Sequence, residues 1–457
     1  MENDVSLFAK TARLPDGWAQ NVRIRLEAGQ ITHISPNAEA APDDVRVDAL
    51  VPALCNLHSH TFQRAMAGRT ETRRAGRDSF WTWRDLMYRF LDHLSPDHIE
   101  AIATLAFMEM LESGFGAVGE FHYVHHQPGG VPYGDLGELS QRIFNAAAKT
   151  GIGLTHLPVM YRYGGLDQRA LEGGQQRFGN DPDRFEALFA ACQSGIAHLP
   201  ADTTLGVAPH SLRAVSAADL ARLTERFDSC PIHIHIAEQT KEVDDVHAAL
   251  GARPVEWLLD HAAVDARWCL IHATHLSEAE TRAMAKSGAV AGLCPVTEAN
   301  LGDGIFNATG HLAAGGKFGV GTDSNVCISA TDELRALEYS QRLRDRARNV
   351  VASPDTSTGA QLYLGAALGG AQALGRASGA LRVGDWADMV GLDGSAVTLA
   401  GLSGDQLLDG VCFAARGGEI SDVWSAGRHV VQGGRHIARE QIEAGYRTAL
   451  SDLMARV

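Results

Sequence analysis

His58 and His60 close an apolar run that begins at Val51. On a strand, residues i and i+2 point to the same face, so at a strand's C-terminal end this pair can hold one metal ion between two imidazoles. Twenty histidines in 457 residues produce about one such pair by chance, so the spacing carries weight only through its context. Three further runs end in the same way: Ile234-His235-Ile236-Ala237-Glu238, Leu270-Ile271-His272-Ala273 and Gly321-Thr322-Asp323-Ser324. Three imidazoles and a carboxylate suit a divalent transition metal such as zinc. Such a metal lowers the pKa of water from ~15.7 to ~7, and a neighbouring carboxylate can take and return protons. Glu238, three residues beyond His235, opens the next loop in position for that task. Each residue has an ordinary alternative: His60 in a turn, His235 in a core, Asp323 as a helix N-cap. Five such residues closing four different runs argue against all the ordinary readings at once. His233 pairs with His235 as a second HxH and is expected in the barrel interior or behind the ligands.

Positioning these residues takes a set of parallel strands. Apolar, glycine-punctuated runs recur at Val51–Leu57, Gly116–Phe121, Gly153–Met160, Thr204–Ala208, Pro231–Ile236, Trp268–Ala273, Ala289–Cys294 and Lys317–Gly321. Helix-like stretches separate them, among them Pro96–Ser113, Ser216–Phe227 and Ser277–Ser287. Eight strands alternating with helices predict a (β/α)₈ barrel, whose active sites lie at the C-terminal ends of the strands. A doubly wound open sheet is the alternative, disfavoured because polar residues gather at nearly every strand's C-terminal end. Val22–Ile34, Met389–Leu392, Asp422–Ser425 and His429–Val431 read as short alternating strands, with turns at Gly427-Arg428 and Gly433-Gly434. The expected architecture is α/β: a distorted (β/α)₈ barrel over residues 53–375 and a small β-sandwich built from residues 1–52 and 376–457.

Composition narrows the classes. Hydrophobic content of 45% with 21% charged residues is ordinary for a globular enzyme. A net charge of −15 without a dense Lys/Arg block argues against non-specific nucleic-acid binding. It also means that an anionic substrate needs a local basic pocket. No secretory signal and no apolar stretch long enough to span a bilayer are visible. Seven scattered cysteines, most in strand-like runs (Cys55, Cys269, Cys294, Cys327, Cys412), read as buried free thiols in a reducing cytoplasm.

The order of these motifs, HxH on the first strand, histidines on the fifth and sixth and aspartate on the eighth, resembles the amidohydrolase superfamily. The HxxE pattern His235–Glu238 resembles its mononuclear deaminase branch, and the fourth strand ends Val207-Ala208-Pro209-His210, without the lysine that bridges two metals in the binuclear branch. Arg382-Val383-Gly384-Asp385-Trp386-Ala387-Asp388-Met389-Val390 is similar to the superfamily's return into its β-sandwich. His58-Ser59-His60-Thr61-Phe62-Gln63-Arg64-Ala65-Met66, Phe80-Trp81-Thr82-Trp83-Arg84 and Cys294-Pro295-Val296-Thr297-Glu298-Ala299-Asn300-Leu301-Gly302-Asp303-Gly304 resemble the N-formimino-L-glutamate deiminases. That resemblance implies one divalent ion per chain, zinc first and iron second, held by His58, His60, His235 and Asp323. It implies Glu238, His272 and Asp323 as catalytic groups, and Gln63, Arg84, Tyr123, His210 and Arg213 around a small dicarboxylate substrate. A cytoplasmic homodimer is the expected form. Two rivals stand beside it. One is a purine or S-adenosylhomocysteine-type aminohydrolase, with Trp81, Trp83 and Tyr123 forming a slot for a flat base. The other is a catalytically dead scaffold, which would be expected to lose ligands that this chain keeps.

Overall fold

The computed structural model describes residues 5–71 and 80–457, except for the side chains of residues 80–82 and 85. The chain starts with four strands, β1 (Val5–Leu14), β2 (Gly17–Glu27), β3 (Gln30–Ser35) and β4 (Val45–Pro52). It then enters a ring of parallel strands: β5 (Leu54–Ser59), β6 (Phe115–His122) and β7 (Gly153–Met160), followed by a fourth strand in two pieces, β8 (Thr204–Leu205) and β9 (Ala208–Pro209). β10 (Ile232–Ile236), β11 (Trp268–His272), β12 (Val290–Leu293) and β13 (Lys317–Val320) complete it. Two sheets, β5 to β8 and β10 to β13, are joined by parallel bridges Val207–Ile232 and Ser59–Asp323. At the second seam the Asp323 N–H donates to the His58 carbonyl at 3.0 Å and the His60 N–H to the Asp323 carbonyl at 2.9 Å. The barrel therefore closes through its metal-ligand candidates. A buried amide stitches the same seam: Asn56 Nδ2 donates to Thr322 Oγ1 at 2.7 Å and Asn56 Oδ1 accepts the Thr322 N–H at 3.0 Å.

The expected strands fall where the apolar runs lie, apart from the division of Thr204–Ala208 into two pieces and one further difference. Val51–Leu57 is not one strand, because β4 ends at Pro52 in the outer sheet and β5 begins at Leu54 in the barrel. One continuous apolar run thus serves two sheets, which periodicity cannot reveal. The three expected helices form as Pro96–Glu112, Ala217–Arg226 and Glu278–Ser287. Their ends have a local cause: Ser95, Ser216 and Ser277 each accept an N–H of the first turn in a capping box. The last barrel helix, Thr358–Ala373, lies on β5 and β13 through a glycine contact. A Cβ on Gly369 would sit 1.8 Å from the Phe318 carbonyl oxygen, so only glycine allows that approach.

After the barrel, β14 (Met389–Leu392), β15 (Ile420–Ser425), β16 (Arg428–Gln432) and β17 (Arg435–His436) join the N-terminal strands in one eight-stranded sheet. Its order is β17-β16-β15-β14-β4-β1-β2-β3. It encloses its own core of Leu7, Val22, Ile24, Leu50, Met389 and Trp424, among others. The hairpin turns carry positive φ at Ala426 and Gly427 and at Gly433 and Gly434, as two-residue primed turns require. The C-terminal stretch also holds a helix that the strand-like reading missed, Arg439–Met454. It packs on Pro96–Glu112 through Ile442, Leu105 and Met108, with an Arg439–Glu112 ion pair and a 2.9 Å contact between His98 Nε2 and Asp452. All seven cysteines are free; Cys327 is exposed rather than buried in a strand, and Cys412 lies in a helical turn. No described helix is long and apolar enough to cross a membrane.

Candidate metal centre and substrate cavity

Four side chains from three places in the ring aim one atom each at a common point. His235 Nε2 lies 3.1 Å from His58 Nε2 and 3.3 Å from His60 Nε2. Asp323 Oδ1 lies 3.4 Å from the Nε2 atoms of both His58 and His60. Donors 2.0–2.1 Å from a tetrahedral centre are separated by about 3.3–3.4 Å, so this spacing fits a zinc-type ion. The tautomers agree. His60 Nδ1 is 2.9 Å from the Phe121 carbonyl and His235 Nδ1 is 3.1 Å from the His210 carbonyl, so each donates from Nδ1 and leaves its Nε2 lone pair toward the centre. Burial holds the imidazoles neutral, pushing His58 down to about 3 and lowering His60 and His235 as well. For Asp323 burial acts the other way, but the surrounding histidines outweigh it and keep the carboxyl ionised.

The backbone around this point is unusual. Ala237, His272, Ala273 and Asp323 all have φ between 43° and 67°, a region that non-glycine residues hold only where the surroundings impose it. The turns are imposed by long-range bonds. Ala273 N–H donates to the Ile236 carbonyl at 3.0 Å and His275 N–H to that of Ala237 at 3.0 Å. Glu242, which sequence reasoning passed over, accepts the Ala237 and Glu238 N–H groups at 3.1 and 3.0 Å.

Beside the donors lies a cavity. Its lining includes every expected substrate residue, Gln63, Arg84, Tyr123, His210 and Arg213, together with Glu238, His272 and Asp323. Gln63 Nε2 donates to Tyr123 Oη at 2.8 Å. Arg84 sits on the helix Phe80–Leu91, with its guanidinium 5.6 Å from the Tyr88 ring centre. For Arg213 burial opposes the charge, and Glu242, Tyr161 and Glu238 outweigh it. Burial is also the first cause that raises Glu238, to about 7. His272 is pulled down by burial but carried up to about 10 by Glu238, Glu298 and Asp323. His272 Nε2 lies 3.9 Å from Glu238 Oε1 and from Asp323 Oδ2. His233 is not among the donors; its Nε2 bonds the Ala373 carbonyl at 2.8 Å. Trp83 lines the cavity, while the Trp81 side chain lies outside the described residues.

Tyr161, Tyr88, Met87, Phe178 and Leu301 also line the cavity and were not expected there. Tyr161 was within reach of the same rule that found the others, since it is the first residue past β7. Tyr88 and Phe178 carry no such signal, because they arrive on segments remote from any strand end.

Residues 49–430 match the model of the amidohydrolase family, and residues 5–48 match that of the "Formimidoylglutamate deiminase HutF, N-terminal domain". A formimidoylglutamate deiminase of Pseudomonas aeruginosa is 49% identical over 98% of this chain and 99% of that protein. The chain belongs to the amidohydrolase family, in its formimidoylglutamate deiminase group. Within the family, the crystal structure of an amidohydrolase from Brucella melitensis is 52% identical, with a TM-score of 0.95 over 98% of this chain and 100% of that one. A 5-methylthioadenosine/S-adenosylhomocysteine deaminase of Natronomonas pharaonis is only 27% identical, over 91% of this chain and 87% of that protein. An adenosine deaminase from Xanthomonas campestris with bound zinc shares the fold, with a TM-score of 0.82 at 22% identity over 99% of both chains.

Proposed function

We propose that this chain hydrolyses N-formimino-L-glutamate to N-formyl-L-glutamate and ammonia, with one zinc-type ion in the His58, His60, His235 and Asp323 set. The relative's name supplies the substrate. The observation in this chain that carries the reading is a cavity that sets two guanidiniums beside a convergent set of imidazole lone pairs and a carboxylate. An ion held there supplies Lewis acidity and brings the pKa of water to ~7.

The chain's own groups then divide the work. Arg84 and Arg213 hold the two substrate carboxylates, for which planar guanidinium forks are suited. Water adds its oxygen to the formimino carbon, giving a tetrahedral adduct. Asp323 takes the proton that water gives up, and His272 stabilises the hydroxyl on the adduct. Glu238, poised near neutrality, protonates the imino nitrogen as the adduct forms and takes back the hydroxyl proton as the carbonyl forms, while the proton held by Asp323 goes to the nitrogen as the carbon–nitrogen bond breaks. One water is consumed and ammonia leaves, so atoms and charge balance. We place the enzyme in the cytoplasm, where seven free thiols stay reduced.

The test is ammonia release by the zinc-loaded protein from N-formimino-L-glutamate, N-formimino-L-aspartate, adenosine, guanine and S-adenosylhomocysteine. Turnover of the glutamate compound well above the others is expected. Preference for a purine compound overturns the reading.

A further inference from the structure

The segment from Thr297 to Gly304 carries a carboxylate with no part in the steps above. Glu298 is buried, and its Oε1 lies 3.4 Å from His272 Nδ1. The same oxygen accepts the Cys294 N–H at 3.0 Å, while the Glu298 N–H donates to the Cys294 carbonyl at 2.9 Å. The carboxylate is thus clamped to the turn that opens the helix Pro295–Leu301. That turn is anchored in its own right, because the Val296 N–H donates to buried Glu333 at 2.9 Å.

On the far edge of the ring, His272 Nε2 faces the gap between Glu238 and Asp323. Which imidazole nitrogen meets the reacting atoms is set by what the other one binds. The Glu298 oxygen that faces the ring already accepts the Cys294 N–H, so His272 Nδ1 is placed to donate to it. The ring is stacked on His235, with centroids 5.6 Å apart and planes 14° from parallel, and its own backbone has φ of 67°. A ring stacked on one face at such a turn still needs a polar anchor to choose its rotation, and Glu298 is placed to be that anchor.

We propose that Glu298 is a positioning residue for the hydrolysis: it holds the Nδ1–H of His272 and so fixes the rotation of the ring, so that Nε2 meets the oxygen added to the attacked carbon. The proposal rests on the deiminase reading and adds to it a role for the strand-seven loop. Were Glu298 only a cap for its short helix, its loss would lower stability and leave the chemical step alone.

The experiment compares wild type, Glu298→Ala and Glu298→Gln as zinc-loaded proteins. Steady-state ammonia release, metal content and the proton NMR spectrum of imidazole N–H groups are measured for each. The His272 N–H signal is assigned by its loss in His272→Gln. Expected for Glu298→Ala are a fall in kcat of about tenfold or more, KM within about threefold, one metal per chain, and loss of the His272 Nδ1–H signal. Glu298→Gln, whose amide oxygen can still accept, should keep the signal and recover most of kcat; it also serves where the alanine variant fails to fold. Unchanged kcat in Glu298→Ala, or a retained His272 signal there, overturns the proposal. A parallel fall in kcat for both variants with the signal intact also overturns it. If wild type releases no ammonia, the deiminase reading fails, and the NMR signal alone decides the Glu298–His272 contact.

Discussion

His60 and His235 each give their Nδ1–H to a main-chain carbonyl, which commits their remaining lone pairs to the point shared with His58 and Asp323. Three neutral imidazoles, His235 lying 3.1 and 3.3 Å from His58 and His60, with a carboxylate oxygen 3.4 Å from the latter two, leave a cation as the natural occupant. His58→Ala should therefore lower metal content from one ion per chain to nearly none, and activity with it; elemental analysis after gel filtration measures the first directly. Glu238 lies outside that donor set. Glu238→Gln should keep the metal and lose about 10²-fold or more in kcat, the usual scale of general acid–base help. Normal turnover by that variant would make Glu238 a loop carboxylate. On the proposed reading the arginines act on binding instead. Arg84→Met and Arg213→Met should each raise KM for N-formimino-L-glutamate at least tenfold, since a charge-assisted bond is worth roughly 1.5–3 kcal/mol. Metal content should stay at the wild-type level, and an unchanged kcat/KM in both would remove them from substrate recognition.

At the scale of elements, the site depends on how the barrel closes. β13 meets β5 through the Asn56–Thr322 pair and through main-chain bonds made by His58, His60 and Asp323. The helix Thr358–Ala373 braces that seam, and Gly369 lets its backbone reach the Phe318 carbonyl. A methyl group there must displace the helix or β13. Gly369→Ala is expected to cost about 3 kcal/mol, at the upper end of overpacking penalties. It should also weaken metal binding, because β13 leads to Asp323. Urea unfolding with metal titration reads both; a variant as stable as wild type would show that the helix can shift freely. Glycine here is a packing requirement, in contrast to Gly427 and Gly434, which satisfy turn dihedrals.

At the scale of the molecule, a buried ion network ties the outer sheet to the barrel. Arg376 donates to Asp388 at 2.6 and 2.9 Å and to Asp202 at 2.9 Å, and Arg428 adds two bonds of 2.7 Å to Asp202. Burial raises the Asp202 pKa, but the two arginines outweigh it and hold the carboxyl below its usual range. Its contribution is therefore present above the ordinary carboxylate pKa and is lost only as the pH falls through the lower folded value. Removing Arg376 leaves buried Asp388 without its arginine while Asp202 keeps Arg428, so Arg376→Met should cost about 3–5 kcal/mol. Buried histidines set an earlier acid limit. Burial pushes His156 down to about 3 and His233 to about 4. The unfolded chain takes up these protons near pH 6.5 and the folded chain does not, so stability is full above pH 6.5 and falls as the pH drops below it. Between pH 6.5 and 5 each should remove about 2 kcal/mol. Urea midpoints measured across that range check the slope, which should be shallower in His233→Leu. A flat profile would mean that both rings are protonated in the fold.

Much of this arrangement is local and so can be read from the chain. Apolar runs mark the strands, serine caps mark the helix starts, and period two puts His58 and His60 on one face. Polar residues that end such runs, His235, His272 and Asp323, announce a barrel mouth before any coordinates are known. The rest depends on contacts between distant segments, which no local pattern encodes. The division of Val51–Leu57 between two sheets arises because β4 pairs with β1 and β14 while β5 pairs with β6. Arg84 lies on a helix, Arg439–Met454 is a helix after a run of strands, and Tyr88 reaches the cavity from outside the ring. Glu298 meets His272 only because β12 lies beside β11 and its loop turns back over it. Ring closure brings the donors within bonding range of one ion, and the main-chain bonds of that closure hold the left-handed turns at Ala237, His272 and Asp323 that aim them.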